Sequence, residues 1–142
     1  MKTINTLLRA KGNDVFGIAP DASVYEAIQE MSDRGVGALL VMEGDRLVGI
    51  ISERDYARKV ILQGRSSRDT PVRDIMTGRV YFIPGERTIE EALALMTDKR
   101  IRHLPVFAGE QLIGIVTLGD LVKDIISNQQ FMIEQLESYI TS

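Results

Sequence analysis

Ser52 and Asp55 stand three apart in the stretch GIISERD, and Thr117 and Asp120 stand three apart in GIVTLGD, sixty-five positions later. A hydroxyl followed at the third position by a carboxylate has two chemical uses. At a helix start the pair closes a capping box, each side chain bonding the other residue's backbone N–H, which stabilises the helix by on the order of 1 kcal/mol. Alternatively, the carboxylate projects from the first turn and accepts hydrogen bonds from the cis-diol of a ribose, as an acidic residue does in dinucleotide-binding folds. The helix N-terminus beside it offers unpaired N–H groups to phosphate or hydroxyl oxygens. Capping accounts for the hydroxyls, but glutamate reaches back to a cap more readily than aspartate. Capping also leaves Gly49 and Gly114 unexplained, each three residues before a hydroxyl on a strand where glycine marks the close approach of another group. Under the binding alternative these glycines make room for a ligand.

Other chemistries find little support. The chain has no cysteine and one histidine, His103, and it carries no GxxxxGK[ST], HExxH or GxSxG pattern. Disulfides, thiolate catalysis, P-loop phosphate binding, zinc hydrolysis and a serine nucleophile elbow are therefore not indicated. Asp55 and Asp120 belong to opposite copies of the repeat and need not meet around a metal, so neither a metal site nor a catalytic cofactor is expected. Seventeen basic against twenty acidic residues leave a net charge of −3, which provides no global field for nucleic acid or an anionic membrane. No apolar run approaches the ~20 residues of a membrane span, and MKTINTLLRAKG lacks a signal-peptide core. A soluble cytoplasmic protein is the expectation.

The two junctions belong to an internal duplication. Residues 31–61 set over residues 96–126 are identical at ten of thirty-one positions, and the match extends upstream, where PDASVYEAIQEM faces PGERTIEEALALM. Ala27, Ile28 and Met31, and Ala92, Leu93 and Met96, recur at helical spacing behind capping boxes at Ser23/Glu26 and Thr88/Glu91. The short apolar runs ALLVM and LPVF read as buried strands, and Gly44-Asp45 and Gly109-Glu110 supply turns before LVGII and LIGIV, so each copy contains a β-hairpin. A second helix follows from Glu53 and from Leu118. The fold class is α/β (α+β), with two β-α-β-β-α repeats packed about a pseudo-two-fold axis. The expected organisation is an N-terminal helical segment (1–14), repeat 1 (15–62), a linker with a short helix starting at Pro71 (63–78), repeat 2 (79–127) and a C-terminal helix (128–142). Ile4, Leu7 and Leu8, and Met132, Ile133, Leu136 and Ile140, form apolar stripes at helical spacing. Each stripe either docks on the protein's own core or serves self-association.

Two copies of helix, apolar strand, hairpin and G-h-x-[ST]-x-x-D resemble a tandem of cystathionine-β-synthase-type (CBS) domains, the CBS pair or Bateman module. The resemblance covers about residues 15–126. It implies a non-catalytic module that binds an adenosine-containing ligand, AMP, ADP, ATP, NAD(H) or S-adenosylmethionine, in clefts between the repeats. By that resemblance the first cleft uses Ser52 and Asp55, with Val36, Gly37 and Ala38 near the base. The second uses Thr117 and Asp120, with Ile101, Arg102 and His103 in the corresponding place. Arg54 in the first motif is replaced by Gly119 in the second, whereas Arg102 and His103 stand where Gly37 and Ala38 stand in the first. Phosphate-binding cations thus differ between the clefts. Arg54 and Arg102 have an alternative as exposed charges, and His103 as a packed ring.

The resemblance further implies a homodimer formed through helices and a regulatory role, sensing energy or redox state and acting on a protein target in trans. A scaffold with empty clefts is the rival class, and S-adenosylmethionine the rival ligand.

Overall fold

The computed structural model describes residues 2–140, excepting the side chains of residues 139 and 140. Helix α1 (Ile4–Lys11) is followed by strand β1 (Gly17–Ile18), helix α2 (Val24–Arg34), strands β2 (Ala38–Glu43) and β3 (Arg46–Ser52), and helix α3 (Glu53–Tyr56), which runs into a π-helical turn, Ala57–Ile61. After a 3₁₀ turn at Val72–Asp74 the order repeats: β4 (Ile83–Pro84), α4 (Ile89–Lys99), β5 (His103–Ala108), β6 (Gln111–Thr117) and α5 (Leu118–Ile140). The expected α/β class and the twofold β-α-β-β-α order are both present. Among the described residues no helix is long and apolar enough to cross a membrane.

Each repeat forms its own three-stranded sheet, β1-β2-β3 and β4-β5-β6, in which the first pair is parallel and the second is an antiparallel hairpin. The hairpins turn at Gly44 and Gly109, whose φ values of 64° and 62° lie in the left-handed region glycine enters without a Cβ clash. Both hairpins slip register at the same place, between Val41 and Met42 and between Val106 and Phe107, just where Gly49 and Gly114 pair with Val41 and Val106. The duplication therefore extends to an irregularity that no helix or strand period shows.

The first-helix caps are as expected, with one difference. Thr88 and Glu91 form a complete box, whereas Ser23 accepts from the Glu26 N–H at 3.1 Å without a return bond, so α2 is capped from one side. At the other end α2 stops on Gly35 (φ 65°) and α4 on Arg100 (φ 56°), the only non-glycine at positive φ among the described residues.

The two compact units are not contiguous halves. One is built from Val15–Val80; the other joins the N-terminal segment through Asp14 to the chain from Tyr81 onward. In the first unit Val24, Ala27, Met31, Leu39, Val41, Ile51 and Val60 are buried together with Val72 and Ile75, so the expected linker contributes to a core. In the second unit Ile4, Leu7 and Leu8 are buried with Ile89, Met96, Leu104, Val106 and Leu121. The two added segments make matching attachments. The Val24 N–H donates to the Thr70 carbonyl and the Ile89 N–H to the Lys2 carbonyl, while Val72 donates to Ala22 and Ile4 to Arg87. Residues 70–77 thus do for the first repeat what residues 2–9 do for the second.

Of the two apolar stripes, the N-terminal one docks. The C-terminal one does not: Met132, Ile133 and Leu136 are 56, 49 and 62 % exposed, and the side chain of Ile140 lies outside the described residues. The second helices also diverge. In repeat 1 the helix widens to a π turn that buries Val60, while in repeat 2 it continues unbroken as α5 into what sequence had separated as a C-terminal helix.

Candidate functional site

Each β-hairpin delivers its last residue, Ser52 or Thr117, as the N-cap of the next helix. At the first junction Ser52 Oγ accepts from the Asp55 N–H at 3.2 Å, and Asp55 Oδ2 accepts from both the N–H and the hydroxyl of Ser52, at 3.0 and 3.1 Å. At the second, Thr117 Oγ1 accepts from the Asp120 N–H at 3.0 Å and Asp120 Oδ2 accepts from the Thr117 N–H at 2.9 Å. Aspartate therefore closes these boxes as well as glutamate does. The residue preceding the hairpin's first strand meets the same helix start, for the Gly37 carbonyl accepts from Glu53 N–H and the Arg102 carbonyl from Leu118 N–H. Ala38 pairs with Ser52 and His103 with Thr117 across the sheets. The fold thus brings Gly37 and Ala38 to Ser52 and the start of α3, and Arg102 and His103 to Thr117 and the start of α5, while Val36 and Ile101, the residues just before, pack against the two cores. Arg54 and Arg102 are exposed and His103 is half-buried.

The glycines have a different use from the one expected. A Cβ on Gly49 would lie 2.6 Å from Met76 Sδ and 3.0 Å from the Thr77 carbonyl oxygen, and one on Gly114 would lie 3.0 Å from the Leu8 methyls. The space each glycine leaves is filled by the protein's own chain, by the 70–77 segment in one repeat and by α1 in the other.

Two lysines that sequence reasoning did not single out complete the electrostatics. Lys59 Nζ lies 3.3 Å from Asp55 Oδ1 and donates to the Ile75 carbonyl at 2.9 Å. Lys11 Nζ lies 2.6 Å from Asp120 Oδ2 and donates to the Ile115 carbonyl at 2.7 Å. Lys59 was open to discovery as a residue four positions after Asp55 on one helix; Lys11 lies over a hundred residues from its partners and gives no local signal. Partial burial raises the Asp120 carboxyl, but the hydrogen bonds from Lys11 and from the Thr117 N–H outweigh it and hold the group below its ordinary value. A carboxylate has about four acceptor positions. The Thr117 N–H and Lys11 both fall on Asp120 Oδ2, leaving Oδ1 without a protein donor among the described residues. The same residues hold no cluster of His, Cys, Asp or Glu suited to a metal ion.

A twice-repeated sheet and helix unit whose hairpins each end in a glycine, a capping hydroxyl and an inward-bonded aspartate defines the class of paired regulatory modules named for cystathionine β-synthase. The chain belongs to the CBS domain family, which matches residues 12–61 and 72–127. It is 40 % identical over 147 residues to the mitochondrial CBS domain-containing protein CBSX3 of Arabidopsis thaliana, covering 97 % of this chain and 71 % of that protein. With the CBS domain-containing protein YhcV of Bacillus subtilis it shares 35 % identity over 112 residues, 79 % of each chain. A solved CBS-domain protein from Burkholderia ambifaria superposes with a TM-score of 0.88 at 46 % identity, covering 90 % of this chain and 96 % of that one. A CBS domain pair solved in complex with 5′-methylthioadenosine and S-adenosyl-L-methionine shares the fold, with a TM-score of 0.80 at 21 % identity over 90 % of this chain and 98 % of that one.

Proposed function

We propose that this CBS pair is a non-catalytic regulatory module that binds an adenine nucleotide, AMP, ADP, ATP or NAD(H), at its strand-to-helix junctions. Asp55 and Asp120 accept the ribose hydroxyls, Ser52 and Thr117 lie at the ribose or phosphate, and residues 36–38 and 101–103 lie along the base. Arg54, Arg102 and His103 supply the phosphate contacts. The observation that carries this reading is the doubled junction itself: each aspartate is fixed by its box, and at the second junction one carboxylate oxygen is left without a protein donor. The CBS pair that holds two adenosine compounds supports it at the level of the fold. The module acts as a homodimer on a protein target in trans, reporting energy or redox state, since a ligand shifts a conformation only by preferring it energetically. A cysteine-free chain fits a reducing compartment, the cytoplasm in this reading, although the Arabidopsis relative is mitochondrial.

The scaffold reading has its own observation in favour. The caps are complete and the glycine spaces are filled from within, so both junctions are accounted for without a ligand. Calorimetric titration of nucleotide-stripped protein with AMP, ADP, ATP, NAD⁺, NADH and S-adenosylmethionine separates the two. A ligand at a hundredfold excess over its Kd stabilises the fold by about 2.7 kcal/mol, and Asp55→Asn or Asp120→Asn abolishes binding at its own junction. If the folded protein binds none of them at millimolar concentration, the scaffold reading stands.

A further inference from the structure

Lys11 is held where a ligand at the second junction would meet it. Ile4, Leu7 and Leu8 bury α1 in the second unit's core, and Lys2 pairs with Asp124 at the start of the helix. The helix then stops at Gly12, whose φ of 103° suits glycine. Beyond it, Asn13 Nδ2 donates to the Ile113 carbonyl at 3.0 Å while Lys11 takes the Ile115 carbonyl, so two side chains cover alternate carbonyls on the open edge of β6. Packed at one end and pinned at the other, the lysine is preorganised. Its ammonium carries three donors; one goes to the Ile115 carbonyl, and Asp120 Oδ2 is its ion-pair partner, so a donor remains. The ammonium and carboxylate side chains are 31 and 24 % exposed, so solvent and a ligand reach both. As a fold-stabilising pair in so open a setting they contribute little.

We propose that Lys11 and Asp120 together form a recognition element for a phosphorylated nucleoside: Asp120 Oδ1 accepts from a ribose hydroxyl while the remaining Lys11 donor goes to an anionic phosphate oxygen. This rests on the ribose reading above and adds to its phosphate contacts a residue of α1, which precedes the first repeat. Charge-assisted bonds from an ammonium to phosphate are strong, and a second junction so built favours nucleotides over adenosine or the cationic S-adenosylmethionine. At the first junction the ammonium, Lys59, comes from the helical turn after Asp55 itself and lies 3.3 Å from its carboxylate, where Lys11 comes from a separate helix and lies 2.6 Å from Asp120.

The test titrates the full chain and its Lys11→Met, Lys11→Arg and Asp120→Asn variants with AMP, adenosine and S-adenosylmethionine, with thermal melts confirming that each is folded. Lys11→Met weakens AMP about tenfold or more, changes adenosine by less than about threefold, and Lys11→Arg recovers most of the AMP affinity. In the unsubstituted chain, raising salt weakens AMP more than adenosine, a comparison that needs no variant. AMP affinity that survives Lys11→Met but disappears with Asp120→Asn overturns the role of Lys11 and leaves the ribose reading intact. Equal losses for AMP and adenosine in Lys11→Met also overturn it. A folded, unsubstituted chain that binds neither compound removes both readings together.

Discussion

Replacing Gly49 by alanine distinguishes a strand packed against its own chain from one that leaves space for a ligand. The new methyl would stand 2.6 Å from Met76 Sδ, 3.1 Å from its Cγ and 3.0 Å from the Thr77 carbonyl oxygen. Comfortable carbon contacts begin at about 3.5 Å, so all three neighbours must give way. Methionine is adaptable. Thr77 is less so, since its carbonyl accepts from Ile50 N–H at 3.0 Å and its own N–H donates to the Ile50 carbonyl at 2.9 Å. Overpacking of this kind costs about 1–3 kcal/mol, against about 0.5–1 kcal/mol that alanine gains over glycine in an unhindered strand. A net loss of about 1–2 kcal/mol follows, which for a chain of this size lowers the melting temperature by about 3–8 °C. Thermal and urea unfolding followed by circular dichroism measure it, and adding Met76→Ala recovers part of the loss because the two sites share one space. Gly114→Ala is milder, since only the movable Leu8 methyls stand in its way. A Gly49→Ala protein that melts at or above the parent temperature while losing nucleotide binding would refute this packing argument and return the space to a ligand.

Two further outcomes are open to measurement. Arg100 ends α4 at φ 56° where Gly35 ends α2 at φ 65°, and a side chain in that region costs about 1–2 kcal/mol; Arg100→Gly therefore raises the unfolding free energy measured in urea, by about 1 kcal/mol or less after glycine's unfolded-state entropy is set against the relief. Asp120 titrates below its ordinary 3.8 in the folded protein because the hydrogen bonds from Lys11 and Thr117 outweigh its partial burial. A depressed folded pKa means the unfolded chain binds the proton more readily, so the associated stability is present above the ordinary value and is lost as pH falls through it toward the folded one. The stability difference between the parent and Asp120→Asn, about 1 kcal/mol or less for so exposed a pair, accordingly shrinks as urea unfolding is repeated from about pH 6 down to about pH 3. A difference that holds constant or widens over that range overturns the assignment of cause.

Much of the fold is written locally and twice. Ser23, Thr88, Ser52 and Thr117 cap the helices that their sequence positions announce, the hairpins turn at Gly44 and Gly109, and the meeting of Ala38 with Ser52 and of His103 with Thr117 follows from one hairpin's register. These features depend on neighbours within a few residues, or within one hairpin, and so leave a periodic trace. The carboxylates' role as cap members was legible for the same reason. Gly49 and Gly114 were legible as points of close approach, but not the identity of what approaches, because Met76 and Leu8 come from segments that no period connects to the strands they touch.

What the sequence by itself determined is therefore the repeat, its element order, the family and the four residues of the two junctions, since a duplicated local pattern identifies itself. Only the tertiary structure decided that the N-terminal helix joins the second repeat's core and that residues 70–77 join the first, and that the C-terminal stripe of α5 remains exposed. It alone brought Lys11 to Asp120. An ion pair between distant segments is set by where the burial of Ile4, Leu7 and Leu8 anchors a helix, and that choice of partner surface is made by the whole core rather than by any stretch of chain.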